Sequence, residues 1–106
     1  MQDRPARQRL PTAAEVGSYV EQNWESGGWD RLFARFASRP GGVAALIRVE
    51  NVRCDYYYGI PDCTFSVTGR FASGEAVTRN LMSNFEWRDG QLVGVVVSVH
   101  TRVISN

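Results

Sequence analysis

The sequence predicts an α+β fold in which two N-terminal helices pack on a curved, four-stranded antiparallel β-meander. Apolar residues recur at helical spacing up to residue 39, and from residue 43 onward they alternate with polar residues. Short turn signals divide the alternating part into four segments. Helices with one apolar face need an apolar surface to cover, and the apolar face of the sheet supplies it.

The first helix begins near Thr12. In the stretch T-A-A-E, the Thr12 side chain can accept the backbone N–H of Glu15 while the Glu15 carboxylate reaches back, which is the pattern of a capping box. The apolar residues that follow share one helical face as far as Gly27-Gly28: Val16, Tyr19, Val20 and Trp24. The pattern therefore predicts an amphipathic helix that ends at the two glycines.

The second helix follows these glycines directly. Its apolar residues fit the i, i+3, i+4, i+7 template: Trp29, Leu32, Phe33 and Phe36. Asp30 lies in the first turn and Arg39 near the end, where their charges suit the helix dipole. Pro40-Gly41-Gly42 is predicted to stop the helix.

The first strand begins at Val43 and changes parity along its length. Ile47 and Val49 occupy one parity, whereas Val52 and Cys54 occupy the other, so a β-bulge is predicted near Glu50-Asn51. The second strand alternates regularly and places these residues toward the core: Cys63, Phe65, Val67, Gly69 and Phe71.

The last two strands are separated by the strongest hairpin signal in the chain. A-S-G-E at residues 72–75 predicts the turn before the third strand, which directs Val77, Leu81, Phe85 and Trp87 to one face. R-D-G at residues 88–90 predicts the next turn, because Asp-Gly readily adopts positive φ angles. The fourth strand, 91–104, is predicted to place four valines on one face: Val93, Val95, Val97 and Val99.

This order of elements resembles that of cystatin-like and NTF2-like folds, in which a curved sheet wraps around a helix. The resemblance covers Thr12 to Ile104 and rests on element order alone, so it implies no site residues. At 106 residues the chain has the size of one domain. We expect that domain to span residues 11–106, preceded by a disordered polar arm at residues 1–10.

The composition argues against several classes of partner and cofactor. The net charge is +1, and the 12 basic residues, all arginine, are scattered and balanced by 11 carboxylates, so nucleic acid is not an expected partner. No run approaches the ~18–20 apolar residues of a membrane span. The sequence also contains no nucleotide-binding, H-E-x-x-H or EF-hand pattern, and we expect no cofactor.

Cys54 and Cys63 are the two cysteines of the chain. Eight residues separate them, unlike the C-x-x-C of redox sites, and with the single His100 they are too few for a four-ligand metal site. Both occupy core-facing positions of successive strands, which predicts a structural disulfide, with two buried free thiols as the alternative. A disulfide indicates the periplasm or the exterior of the cell. Met1 would then precede a mature exported chain whose signal peptide has been removed. The alternative is a cytosolic protein with a polar N-terminal tail.

The segment between the cysteines is the predicted partner-binding site. Its candidate residues are Asp55, Tyr56, Tyr57, Tyr58, Ile60 and Asp62. Tyrosines are enriched among binding hot spots, and a segment pinned at both ends loses little entropy on binding. The alternative is that the tyrosines are ordinary strand formers near a sheet end. A second candidate surface is the polar face of the sheet: Thr64, Ser66, Thr68, Thr78, Asn80, Asn84 and Glu86.

No catalytic set is evident. His100 shares a strand face with Ser98 but has no third member of a triad, and Arg79 is predicted to lie at the sheet rim or beside a buried acid. We therefore expect a non-enzymatic, exported domain that binds another protein, as an inhibitor or immunity protein that occludes a toxin or secreted enzyme. One alternative is a small-ligand binder or enzyme with a pocket near Tyr19, Trp24, Trp29 and Phe33. Another is a subunit of an envelope or secretion assembly, and the oligomeric state, including a homodimer, is left open.

Overall fold

The structure, a computed structural model, describes residues 8–39 and 41–99. Its elements are α1 (Ala13–Gln22), α2 (Trp29–Phe36), β1 (Ala44–Tyr57), β2 (Ile60–Phe71), β3 (Ala76–Arg88) and β4 (Gln91–Val99). The four strands form one antiparallel sheet in the order β1-β2-β3-β4, and the two helices pack on it. The predicted α+β architecture is therefore confirmed.

The helix ends are set by local hydrogen bonds. The Thr12 hydroxyl accepts the Glu15 N–H at 3.1 Å, and the Glu15 carboxylate accepts the Thr12 N–H at 2.9 Å, so the predicted capping box is present. The second helix ends before the predicted Pro-Gly-Gly stop, because Ser38 adopts a φ of 60°. Arg39 then donates its N–H to the Ala34 carbonyl, which closes a Schellman-type turn.

β1 is bulged twice where it pairs with β2. Residues 51 and 52 oppose a single residue of β2, and Asn51 has a φ of 56°, which confirms the bulge predicted near Glu50-Asn51. A second bulge, at Ile47, was not predicted. It leaves Ile47 38% exposed while Leu46 and Val49 pack against the core, so the expected common face of Ile47 and Val49 is wrong. Bulges bend a strand and increase its twist, which curves this edge of the sheet.

β4 carries a further bulge at Val95, which the register with β3 skips and which is 47% exposed. Before the bulge, Val93 lies opposite Glu86, and after it Val97 lies opposite Ser83, a core-facing position. The predicted uninterrupted alternation along β4 is therefore wrong, because the register includes one inserted residue, which reverses it.

The core lies between the helices and the inward face of the sheet. Its largest fully buried side chains are Phe33, Phe65, Phe85, Leu81, Val16, Val20 and Val67. The indole N–H of Trp24 donates to the Ala44 carbonyl at 2.8 Å, so this buried polar group is satisfied. Burying one such apolar side chain stabilises the fold by about 1.5–3 kcal/mol.

Candidate functional site

The two cysteines form a disulfide directly across the β1–β2 ladder. Cys54 and Cys63 are register partners with Cα atoms 4.1 Å apart, and the buried Cys63 belongs to the core. The predicted structural disulfide is confirmed. Within residues 8–39 and 41–99, no group of three or more His, Cys, Asp and Glu residues is placed to hold a metal ion. His100 lies outside the described residues.

The segment between the cysteines is a tight hairpin. β1 runs to Tyr57 and β2 begins at Ile60, so Tyr58 and Gly59 alone form the turn. Their φ angles of 52° and 79° are both left-handed, as a type I′ turn requires. Glycine adopts this conformation freely, whereas a non-glycine residue pays roughly 1–2 kcal/mol for it. The backbone at Tyr58 is therefore strained, and this conformation places the Tyr58 ring at the end of the hairpin.

Strand alternation divides the predicted site residues between two faces. Asp55 and Asp62 are register partners on the face away from the helices, and Tyr56 and Pro61 pair on the helix side. Pro61 is buried, and the half-buried Tyr56 donates its hydroxyl to the Gln8 carbonyl at 2.6 Å. Tyr56 therefore has a structural role at the base of the site, whereas the solvent-exposed surface lies closer to the turn.

Three large side chains project from the end of the hairpin into solvent. Tyr58 is 89% exposed, Tyr57 60% and Ile60 46%. The two tyrosine rings pack edge to face, with centroids 4.6 Å apart. We call Tyr57, Tyr58 and Ile60 the hairpin tip. Of the other exposed large apolar residues of the described chain, Val43 and Ile47 lie away from the turn, whereas Val95 faces the tip across a cleft.

A cleft separates this hairpin from the β3–β4 hairpin. The pairing of β2 with β3 ends at Asp62 and Asn84, whereas β3 continues to Arg88. The space where the two hairpins part, which we call the tip cleft, has a volume of about 520 Å³. Residues 57–61 line one side and residues 84–86 the other, with Gln8 and Val95 completing the wall. The hairpin tip thus forms one rim of a groove.

Gln8 forms part of the wall of this groove and lies against β3. Its side-chain amide donates to the Trp87 carbonyl at 3.1 Å and accepts the Trp87 N–H at 3.0 Å. The Arg9 guanidinium lies over the Trp87 indole, with its central carbon 4.1 Å from the ring centroid. The Arg9 carbonyl accepts the Trp87 indole N–H at 2.9 Å. Gln8 and Arg9 belong to the predicted polar arm, whose residues 1–7 lie outside the described part of the chain.

Arg9 also anchors the segment to α1. Its guanidinium donates to both carboxylate oxygens of Glu15, at 2.9 and 2.7 Å. The Arg9 guanidinium, followed by the Thr12 N–H, lowers the pKa of Glu15 from 4.5 to about 2. In return, the hydrogen bond from Arg9 to the Glu15 carboxylate raises the pKa of Arg9. The pair is largely exposed, so its main consequence is the position of the segment rather than stability.

Gln8, Arg9 and Trp87 were not among the site residues predicted from the sequence. The one local signal is the position of Arg9, six residues before the capping-box Glu15 with which it forms an ion pair. The bond between Gln8 and Trp87 spans 79 positions and has no counterpart in the periodic pattern.

The polar face of the sheet, the second predicted surface, is largely closed by its own hydrogen bonds. Ser66 and Thr68 are buried there. The Ser66 hydroxyl donates to Asn80 at 2.7 Å, and the Thr68 and Thr78 hydroxyls lie 2.8 Å apart. Groups satisfied by one another in this way offer a partner less than the hairpin tip does.

The aromatic residues predicted near a ligand pocket lie in or against the core. Trp24, Trp29 and Phe33 are buried, and Tyr19 packs edge-on against the core ring of Phe85 at 5.3 Å. Arg79 donates its Nε–H to the Phe36 carbonyl at 3.2 Å, at the end of α2. A positive charge is favourable at that helix end, so Arg79 serves as a cap.

Comparisons of the chain with protein-family models, with curated proteins and with solved structures find no match. Neither helix in the described chain is long and apolar enough to cross a membrane. The disulfide is compatible with an oxidising compartment such as the periplasm or the cell exterior.

Proposed function

We propose that this protein is an exported protein-binding domain whose contact surface is the hairpin tip. In this proposal it acts as an inhibitor or immunity protein, and the tip enters a concave site of a toxin or secreted enzyme. The observation that carries the proposal is the exposure of Tyr57 and Tyr58 at the end of a cross-linked hairpin.

A rigid aromatic projection has the properties of a binding anchor. Tyrosine offers a large contact area with few rotatable bonds and is enriched among hot spots. The disulfide closes the hairpin at Cys54 and Cys63, three register pairs behind the turn, so less conformational freedom remains to be lost on binding. The exposed Asp55 on the flank adds a negative charge for a basic partner surface.

The proposal is tested by affinity capture from the secreted and periplasmic proteins of the source organism. The baits are the wild-type chain, Tyr57→Ser/Tyr58→Ser, and the matched control Val43→Ser. Val43 is also an exposed apolar residue, but it lies beside the start of β1, at the opposite end of the hairpin. We expect the wild type and Val43→Ser to retain a partner that the double variant binds at least about tenfold more weakly.

The activity of the captured protein then tests the finer part of the proposal. An inhibitor or immunity role predicts that an equimolar amount of the wild-type chain suppresses that activity and that the double variant does not. Equal retention by all three baits would contradict the hairpin tip as the contact surface. A tip-dependent partner whose activity is unchanged would contradict inhibition.

A further inference from the structure

We propose that the edge of β3 at Trp87, beside the tip cleft, binds an extended peptide that carries a Gln-Arg pair, and that Gln8 and Arg9 occupy this edge as an internal substitute for that peptide. The inference rests on the proposed function, since the peptide would belong to the protein partner. The inference adds two things to that function. It specifies the chemistry of the partner segment, and it identifies the contact within this chain, that of Gln8 and Arg9, which the partner segment would displace.

The first step concerns the main chain of β3. Arg88 and Gln91 close the two-residue turn, and Trp87 pairs with Leu92 one position further on. Because antiparallel pairs alternate between bonded and non-bonded, the N–H and C=O of Trp87 point away from β4, toward the side that β2 has left. Gln8 bonds to both groups. A side-chain carboxamide carries an N–H donor and a C=O acceptor, as a peptide group does. The Gln8 side chain therefore makes the two hydrogen bonds to Trp87 that a neighbouring strand would make.

The second step concerns the residue that follows the glutamine. The Arg9 guanidinium lies on the face of the Trp87 ring and meets the Glu15 carboxylate with two bonds. A planar guanidinium can stack and bind a carboxylate in a fork, whereas an ammonium group cannot. The site therefore selects arginine after glutamine by shape as well as by charge.

The third step concerns how firmly the internal segment is held. Gln8 is exposed, and the Arg9 side chain keeps 58% of its surface in solvent. Hydrogen bonds and ion pairs at such exposure are individually weak. A peptide from a partner can form the same contacts and add others, because the tip cleft, lined by Tyr57 and Ile60, adjoins the position of Gln8. It therefore has the means to replace Gln8 and Arg9.

The test uses the full chain with Gln8→Ala/Arg9→Ala, which vacates the site. The probe is the acetylated and amidated peptide of residues 4–12, RPARQRLPT, titrated while the backbone and indole N–H signals of Trp87 are followed by NMR. We expect saturable binding to the vacated chain, and binding at least about tenfold weaker to the wild type, whose own segment competes for the site. The control peptide RPARAALPT should produce no saturable change.

Two outcomes would overturn the inference. One is equal binding of the probe to the wild type and the vacated chain, and the other is equal binding of the probe and the control peptide. Should the vacated chain fail to fold, amide hydrogen exchange of Trp87 in the wild type decides: a fully unprotected amide refutes occupancy by Gln8. If the vacated chain binds the probe but the wild type captures no partner through its tip, the proposed function alone is refuted. Tip-dependent capture without probe binding refutes only this inference.

Discussion

Reduction of the Cys54–Cys63 disulfide should lower the free energy of unfolding without removing any atom from the core. The bridge joins residues nine positions apart, and the chain-entropy relation converts that loop into about 2.6 kcal/mol at 25 °C. Because the sequence is unchanged, the difference between the oxidised and reduced chains reports the cross-link alone.

The structure indicates that the reduced chain keeps its fold. The Tyr58-Gly59 turn and the Tyr57–Ile60 pair close the hairpin without help from the bridge. The Cys63 side chain stays within a core that extends over both helices and all four strands. The loss therefore arises mainly in the unfolded chain, which gains conformational freedom when the loop opens.

Urea unfolding with and without reductant measures this loss. Trp24 and Trp29 are buried, so their fluorescence follows loss of the core. With a urea m-value of about 1–2 kcal/mol/M, the midpoint should fall by roughly 1–3 M on reduction. The control is Cys54→Ser/Cys63→Ser, whose midpoint should not respond to the reductant. An unchanged midpoint on reduction of the wild type would refute the entropy argument, and so would complete unfolding without urea.

Two further predictions concern a close contact and a titration. Gly69→Ala should destabilise the protein by about 1–3 kcal/mol, because its Cβ would lie 2.7 Å from Cε2 of the buried Phe33. Gly17→Ala in α1, with nothing within 4 Å, should instead stabilise by about 0.5–1 kcal/mol in the same unfolding assay, and changes of equal sign would contradict the packing argument. The lowered pKa of Glu15 implies a contribution that is fully present above pH 4.5 and is lost as the pH falls through about 2. A ¹³C titration of its carboxyl group should show a pKa near 2 that Arg9→Met raises, though not to 4.5, since the backbone N–H of the cap remains, and an unchanged pKa would contradict the ion pair.

Features that depend on near neighbours were predicted correctly. The capping box at Thr12 and Glu15 requires two residues three positions apart, and the Asp89-Gly90 turn requires two adjacent ones. The cysteines occupy matching phases of successive strands, which was sufficient to predict the disulfide. In each case the deciding chemistry lies within a few residues of chain.

The bulges show where periodic patterns fail. The bulge at Asn51 was visible because apolar residues on its two sides change phase. Ile47 and Val95 are apolar residues within apolar stretches, so their insertion leaves the hydrophobic pattern intact, and only the register reveals them. A turn signal lies between the two cysteines, but its two-residue form at Tyr58-Gly59 was not predicted, because tyrosine rarely adopts a positive φ.

Periodicity and residue spacing were enough to predict two helices on a four-stranded meander and the cross-link between its first two strands, because both express forces between close neighbours. Three-dimensional packing places the tyrosines at the end of a two-residue turn and separates the two hairpins beside them. The same packing brings Gln8 to Trp87 across 79 positions of chain. Such a contact depends on the angle at which the two hairpins separate. That angle is set between segments distant in sequence, so it leaves no periodic pattern along the chain.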